Sequence, residues 1–264
     1  MVDSHFHTLH MIARDLPGEA ILEECFTAGM SYGLDVGIVA ETFARRAELA
    51  SRFPRLYLAS GFYPSACEDP LWRDKLPLLE DHLIHTPRAV ALGEIGLDFN
   101  RMYGTREGQK EVMAAQIELA NRLGLPVIIH SRDAAMETLE LLHRYTPMKG
   151  GILHCFSYGP EWVDRFAELD LYFSFAGNIT YKKSPEIREA MKQVPPTRLL
   201  METDAPYLSP QPVRHRINHP GLIGYTYETA ARETGLPLED LISMVKANFV
   251  EFLSLSGRFV PVEV

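Results

Sequence analysis

Cysteine is scarce in this chain: Cys25, Cys67 and Cys155 are the only three in 264 residues, widely spaced and odd in number. That argues against a disulfide framework and fits a reducing compartment, so the expected location is the cytoplasm. No apolar run approaches the length of a membrane span. The N-terminus has no basic stretch followed by an apolar one, so no signal peptide is expected. Basic charge is also in deficit. A net charge of −9 leaves no global basic footprint for nucleic acid, although bound metals and a local cluster of arginines can carry phosphates without one. No glycine-rich loop follows the first apolar run, which argues against an open, doubly wound nucleotide-binding sheet. Low-complexity stretches and linkers are missing, so nothing divides the chain and residues 1–264 read as one domain.

What is present is alternation. The hydrophobic fraction, 46%, is ample for a sizeable core. Short β-branched or apolar runs near residues 2–6, 34–39, 55–61, 89–94, 126–130, 151–154, 171–175 and 198–202 read as strands. Longer amphipathic stretches lie between them. In Glu107–Leu123, the residues Val112, Ala115, Ile117, Leu119 and Leu123 keep helical spacing, and Gly124 and Pro126 stop the helix. Leu238–Leu255 reads as a closing helix. Eight strands with helices between them, in about 250 residues, describe a (β/α)8 TIM barrel, whose sites gather at the carboxyl ends of the strands.

The chemistry-bearing residues fall at those ends. His5 and His7 lie two apart on the first strand, so both imidazoles point to one face. Glu94, His130, His154 and Asp204 each end a later apolar run. Imidazole and carboxylate ligands dispersed in this way suit zinc, manganese or a related divalent ion. Cys155, next to His154 on a strand, is expected to face the other way and pack in the core. Asp98 reads equally as a loop or helix-capping carboxylate and as a group supporting a ligand, and Glu202 reads as support for the strand end or for a ligand histidine. Arg132, two residues past His130, reads as an anchor for phosphate or carboxylate. Lys182, Arg214 and Arg216 have the same two readings, anchor or solvated loop charge. His82 and His85 share a helix face without a third ligand, and nothing in the sequence gives His10 or His143 a role.

Several segments together resemble the TatD family of metal-dependent hydrolases, a branch of the amidohydrolase-like barrels. They are Asp3-Ser4-His5-Phe6-His7, Gly93-Glu94-Ile95-Gly96-Leu97-Asp98, Gln116-Ile117-Glu118-Leu119-Ala120, Leu125–Ala134, His154-Cys155-Phe156-Ser157, Phe173–Thr180 and Leu199–Leu208. They run in order from end to end. The resemblance implies a two-metal centre: His5 and His7 with Asp204 on one ion, His130 and His154 on the other, Glu94 bridging both. Asp204 and Glu94 would then be the catalytic carboxylates, with Asp204 as proton acceptor. The family also implies magnesium- or manganese-dependent deoxyribonuclease activity, often removal of nucleotides from the 3' end of single strands. Zinc and nickel suit the same imidazole-rich ligands.

Two segments depart from the family. Gly61-Phe62-Tyr63-Pro64 carries Tyr63 where many members have a histidine facing the site. Val213-Arg214-His215-Arg216-Ile217-Asn218-His219-Pro220 stands where Val-Arg-Gly-Lys-Arg-Asn-Glu-Pro is frequent. Tyr63, Arg132 and Arg214 are therefore the expected substrate-facing residues. The expected substrate is DNA or another phosphodiester. The alternative is a small-molecule amidohydrolase, phosphoesterase or lactonase using the same metals, which the acidic charge and the altered loop favour. A barrel with a purely structural metal is disfavoured by the number of ligands, since structural sites are closed four-ligand clusters.

Overall fold

A computed structural model describes residues 1–262; Glu263 and Val264, the end of the expected 1–264 domain, lie outside the described residues. Eight parallel strands follow one another around a single sheet: Val2–Phe6 (β1), Tyr32–Gly37 (β2), Leu56–Ser60 (β3), Ala89–Asp98 (β4), Val127–Arg132 (β5), Gly151–Leu153 (β6), Leu171–Phe175 (β7) and Leu199–Met201 (β8). Helices connect them, so the alternation read in the sequence does produce the (β/α)8 barrel. Every residue of β1 to β4 and of β6 to β8 is buried, as expected of strands covered on both faces. The sheet closes through the segment just after β8. Asp204 N–H donates to the His5 carbonyl at 2.9 Å, and His7 N–H donates to the Ala205 carbonyl at 2.8 Å.

The helix Arg106–Leu123 shows how a sequence pattern positions the barrel mouth. Thr105 caps its start by accepting the Gly108 N–H at 3.0 Å. Gly124 ends it in the left-handed conformation, φ 65°, which glycine adopts without a Cβ clash. Its buried face carries Val112, Met113 and Ile117, and also two glutamines seven residues apart. Gln116 accepts the Phe62 N–H at 2.7 Å and donates to the Phe62 carbonyl at 2.9 Å. Gln109 accepts the Asp98 N–H at 2.8 Å and donates to the Tyr103 carbonyl at 2.8 Å. The helix thus holds the end of β4 and the loop after β3.

The strand boundaries differ from the sequence reading where the site is built. β4 continues past Glu94 to Asp98, while β6 and β8 stop at Leu153 and Met201. Against β5, Gly93 pairs with Ile128 and Ile95 with Ile129, leaving Glu94 as an extra residue. Such a bulge re-aims a side chain. At Gly96 (φ 147°) a Cβ would lie 1.8 Å from the His130 carbonyl oxygen, so only glycine lets β4 approach the backbone of His130 this closely. Among the described residues, no helix is long and apolar enough to cross a membrane.

Candidate metal centre

The six expected ligand residues converge at the carboxyl end of the barrel. Glu94 lies between two groups, and its two oxygens face different ones. Oε1 is 2.8 Å from His130 Nδ1 and 2.9 Å from His154 Nε2. Oε2 is 3.5 Å from His5 Nε2 and 3.6 Å from His7 Nε2. Asp204 Oδ1 closes the second group at 3.9 Å from His5 Nε2 and 3.6 Å from His7 Nε2. Within the groups, His130 Nδ1 and His154 Nε2 are 3.1 Å apart, and the Nε2 atoms of His5 and His7 are 3.2 Å apart. Two nitrogens, each about 2.1 Å from one ion at right-angle to tetrahedral spacing, are roughly 3.0–3.4 Å apart. The donor set and its spacing fit a divalent ion in each group.

The outer nitrogens decide which ring atoms are free for metal. His7 Nδ1 meets the Val36 carbonyl at 2.8 Å. A carbonyl only accepts, so this nitrogen carries the proton and Nε2 keeps its lone pair for the centre. His154 Nδ1 meets Glu202 Oε1 at 3.2 Å, with the same consequence. His130 Nε2 lies 3.2 Å from the Tyr63 hydroxyl, which donates to Asp98 Oδ2 at 3.0 Å. His5 Nδ1 is buried with no partner among the described residues.

Charge in the cluster is strongly coupled. Burial acts to raise Glu94, but His154, His130 and His5 outweigh it and hold the carboxyl well below its usual range. Asp204 is likewise depressed, with His7, His154 and His5 overcoming burial. Burial acts to lower His154, yet Glu94 and Glu202 hold it well above the ordinary imidazole value. Burial acts to lower His130 and His7 too, but Asp98 and Glu94 raise the first and Asp204 and Glu94 the second, while burial and then His154 push His5 down. Asp98 is held down to about 2: burial opposes, but His130, the Arg101 N–H and Tyr63 prevail. Carboxylates stay charged here, ready to offset cations.

Other expectations divide. Tyr63 reaches the cluster through His130, and Asp98 plays both of its readings at once, accepting Tyr63 and also the Asn100 and Arg101 N–H groups at 3.0 and 2.8 Å. Glu202 supports His154, as one of its readings had it. His82 is partly buried, stacked on Phe43 and 3.0 Å from Ser60 Oγ, whereas His85 is exposed. Arg132 is exposed at the end of β5, and Arg214 is exposed with its guanidinium 4.0 Å over the Tyr181 ring. Neither forms a hydrogen bond or ion pair with the six residues, among those described. The reading of Cys155 as buried core packing is corrected. β6 ends before it, so strand alternation does not reach it; it adopts φ 46°, is only partly buried, and its thiol lies 3.7 Å from Ser157 Oγ. Burial and then the charge of Asp204 raise that thiol well above its usual value. His10 went unread because a single histidine after the first strand carries no pattern. Its ring stacks on His7 with centroids 4.8 Å apart.

Comparison with known proteins identifies the family. A family model described as TatD related DNase matches residues 2–254. The chain is 31% identical to an uncharacterized metal-dependent hydrolase, YabD of Bacillus subtilis, over 94% of this chain and 96% of that protein. It is 32% identical to the 3'-5' ssDNA/RNA exonuclease TatD of Salmonella typhimurium, over 86% of this chain and 89% of that one. The crystal structure of YjjV, a TatD homologue from Escherichia coli, superposes with a TM-score of 0.85 at 27% identity, covering 96% of this chain and 97% of that chain. This protein therefore belongs to the TatD-related DNase family and is a metal-dependent hydrolase.

Proposed function

We propose that the cluster holds two divalent ions bridged by Glu94 and hydrolyses phosphodiester bonds, trimming single-stranded DNA from its 3' end. The observation that carries this reading is the division of the Glu94 carboxylate, one oxygen toward His130 and His154 and the other toward His5 and His7. His5, His7 and Asp204 would hold one ion, His130 and His154 the other; magnesium, manganese, zinc or nickel suits these donors. The ions would supply Lewis acidity, lowering the pKa of water and polarising the phosphoryl oxygen.

The remaining roles belong to the chain's own residues. Asp204 accepts the proton of the attacking water. Of the two carboxylates it is the one open to the mouth, with a side chain 13% exposed against 4% for Glu94. Val36, Glu202 and Tyr63 hold His7, His154 and His130 in the tautomers the centre needs. Arg132 and Arg214 would meet substrate phosphates beyond the centre. The substrate assignment draws on the Salmonella relative named as an exonuclease. The free cysteines support a cytoplasmic setting.

The acidic balance of the chain, with Arg132 and Arg214 apart from the cluster, favours a second reading: a small-molecule amidohydrolase, phosphoesterase or lactonase. One experiment separates them. Metal-loaded protein is given 5'-end-labelled single-stranded DNA, with a variant lacking His5 and His7 as the control for contaminating nuclease. Progressive shortening from the 3' end by the wild type alone supports the nuclease. Intact DNA together with hydrolysis of a small ester or amide overturns it.

A further inference from the structure

Beyond the six residues, a second cluster lies against His7. The short helix Thr8–Ile12 that follows β1 carries His10, stacked on His7, and the chain then reaches Arg14. Tyr207 arrives from the loop after β8, its N–H donating to the Asp204 carbonyl at 2.8 Å. The Tyr207 hydroxyl is 3.3 Å from His10 Nδ1, and its ring meets His7 edge-on with centroids 6.0 Å apart. The Arg14 guanidinium lies 4.7 Å over that same ring. Arg14 is therefore one aromatic side chain away from both His7 and Asp204.

Its chemistry is unspent. Arg14 is exposed and its guanidinium forms no hydrogen bond or ion pair among the described residues, whereas Arg52, Arg73 and Arg106 are each paired with a glutamate. Stacking on Tyr207 restrains the guanidinium without using its N–H donors. A restrained cation with free donors at the mouth of a cluster, on a chain of net charge −9, has an anion as its complement.

We infer that His10, Tyr207 and Arg14 form a ledge that seats the substrate phosphate next to the scissile one, with Arg14 as the donor to its oxygens. The inference rests on the phosphodiesterase reading above, because a nucleic-acid strand presents a second phosphate one nucleotide from the scissile one. It adds a subsite to that centre and makes chain length, rather than base identity, what the ledge recognises.

The test compares two substrates on the metal-loaded full chain: oligothymidylate, and thymidine 5'-p-nitrophenyl phosphate, which has a single phosphodiester. In Arg14→Ala the ratio of kcat/KM, oligonucleotide over ester, falls about tenfold, the cost of one charge-assisted contact, and the loss is carried by KM. Arg14→Lys recovers part of it. The log–log salt dependence of binding becomes shallower by about 0.7, one single-strand phosphate contact, and metal content stays at the wild-type level. An unchanged ratio, or a loss confined to kcat, overturns the ledge. If the wild type cleaves neither substrate, the nuclease reading fails and the ledge is judged by fluorescence anisotropy with labelled oligothymidylate. Tenfold weaker binding by Arg14→Ala upholds it, and equal binding removes it.

Discussion

Glu202 Oε1 lies 3.2 Å from His154 Nδ1 and accepts the Cys155 N–H at 2.9 Å, so one buried carboxylate oxygen orients both the imidazole and the left-handed turn that follows it. The ring needs an acceptor behind it to keep Nε2 free for metal. Glu202→Ala should weaken metal affinity about 10–100-fold, the usual cost of losing such a partner, with circular dichroism unchanged. Metal titration followed by calorimetry reads this, and wild-type affinity in the variant would remove Glu202 from the centre.

Glu94 offers a sharper test, because each of its two oxygens faces a different group. Glu94→Ala is expected to lose most bound metal and nearly all hydrolysis, whereas Asp204→Ala should spare the ion held by His130 and His154. Elemental analysis of the three proteins decides it. Equal metal in wild type and Glu94→Ala is incompatible with a bridge.

Stability should follow metal and pH together. Ligand that binds only the folded chain at a hundredfold excess over Kd stabilises by about 2.7 kcal/mol, so chelation should lower Tm by roughly 5–10 °C and manganese or zinc should restore it. The pH trend without metal comes mainly from His154, held above its ordinary value of 6.5 by Glu94 and Glu202 against burial. Its stabilisation is complete below 6.5 and fades as pH rises through the raised folded value. His130 and His7 act in the same direction; His5, shifted down, gives a stabilisation that fades as pH falls below its ordinary value. Metal competes with protons for the same nitrogens, so its binding strengthens with pH. The gap in Tm between loaded and chelated protein should therefore widen from about pH 6 to about pH 8. Differential scanning calorimetry at both values checks it, and a constant gap contradicts the linkage.

Beside the centre, Arg46 is 1% exposed and donates from Nε to Asp35 Oδ2 at 2.7 Å, from Nη1 to Ser60 Oγ at 2.8 Å and from Nη2 to the Ala59 carbonyl at 2.9 Å. Asp35 Oδ1 accepts the Thr8 N–H at 2.7 Å, directly after His7. Arg46→Ala strands a buried carboxylate and should cost about 3–5 kcal/mol in urea unfolding, while Arg46→Met with Asp35→Leu should recover much of that loss. If the double variant is no better than the single one, the ion pair is not what holds this corner.

Local rules made much of this protein legible without coordinates. The period of a strand put His5 and His7 on one face, and the glycine after Leu123 ended its helix where the pattern broke. Alternating strands and helices leave few ways to bury all their apolar faces, so the barrel and the convergence of its strand ends followed. Other contacts came only with the tertiary structure. Strand parity failed at Cys155 because β6 had already ended, and no spacing in the chain marks Glu94 as the bulged residue of β4. His154 with Glu202, Tyr63 with Asp98, and Arg14 with Tyr207 lie 48, 35 and 193 residues apart in sequence. Such pairs are set by barrel closure, which brings the loops together with no sequence period of their own. A ligand's residue type and face are local properties, but its hydrogen-bond partner depends on which loop the closed sheet places behind it.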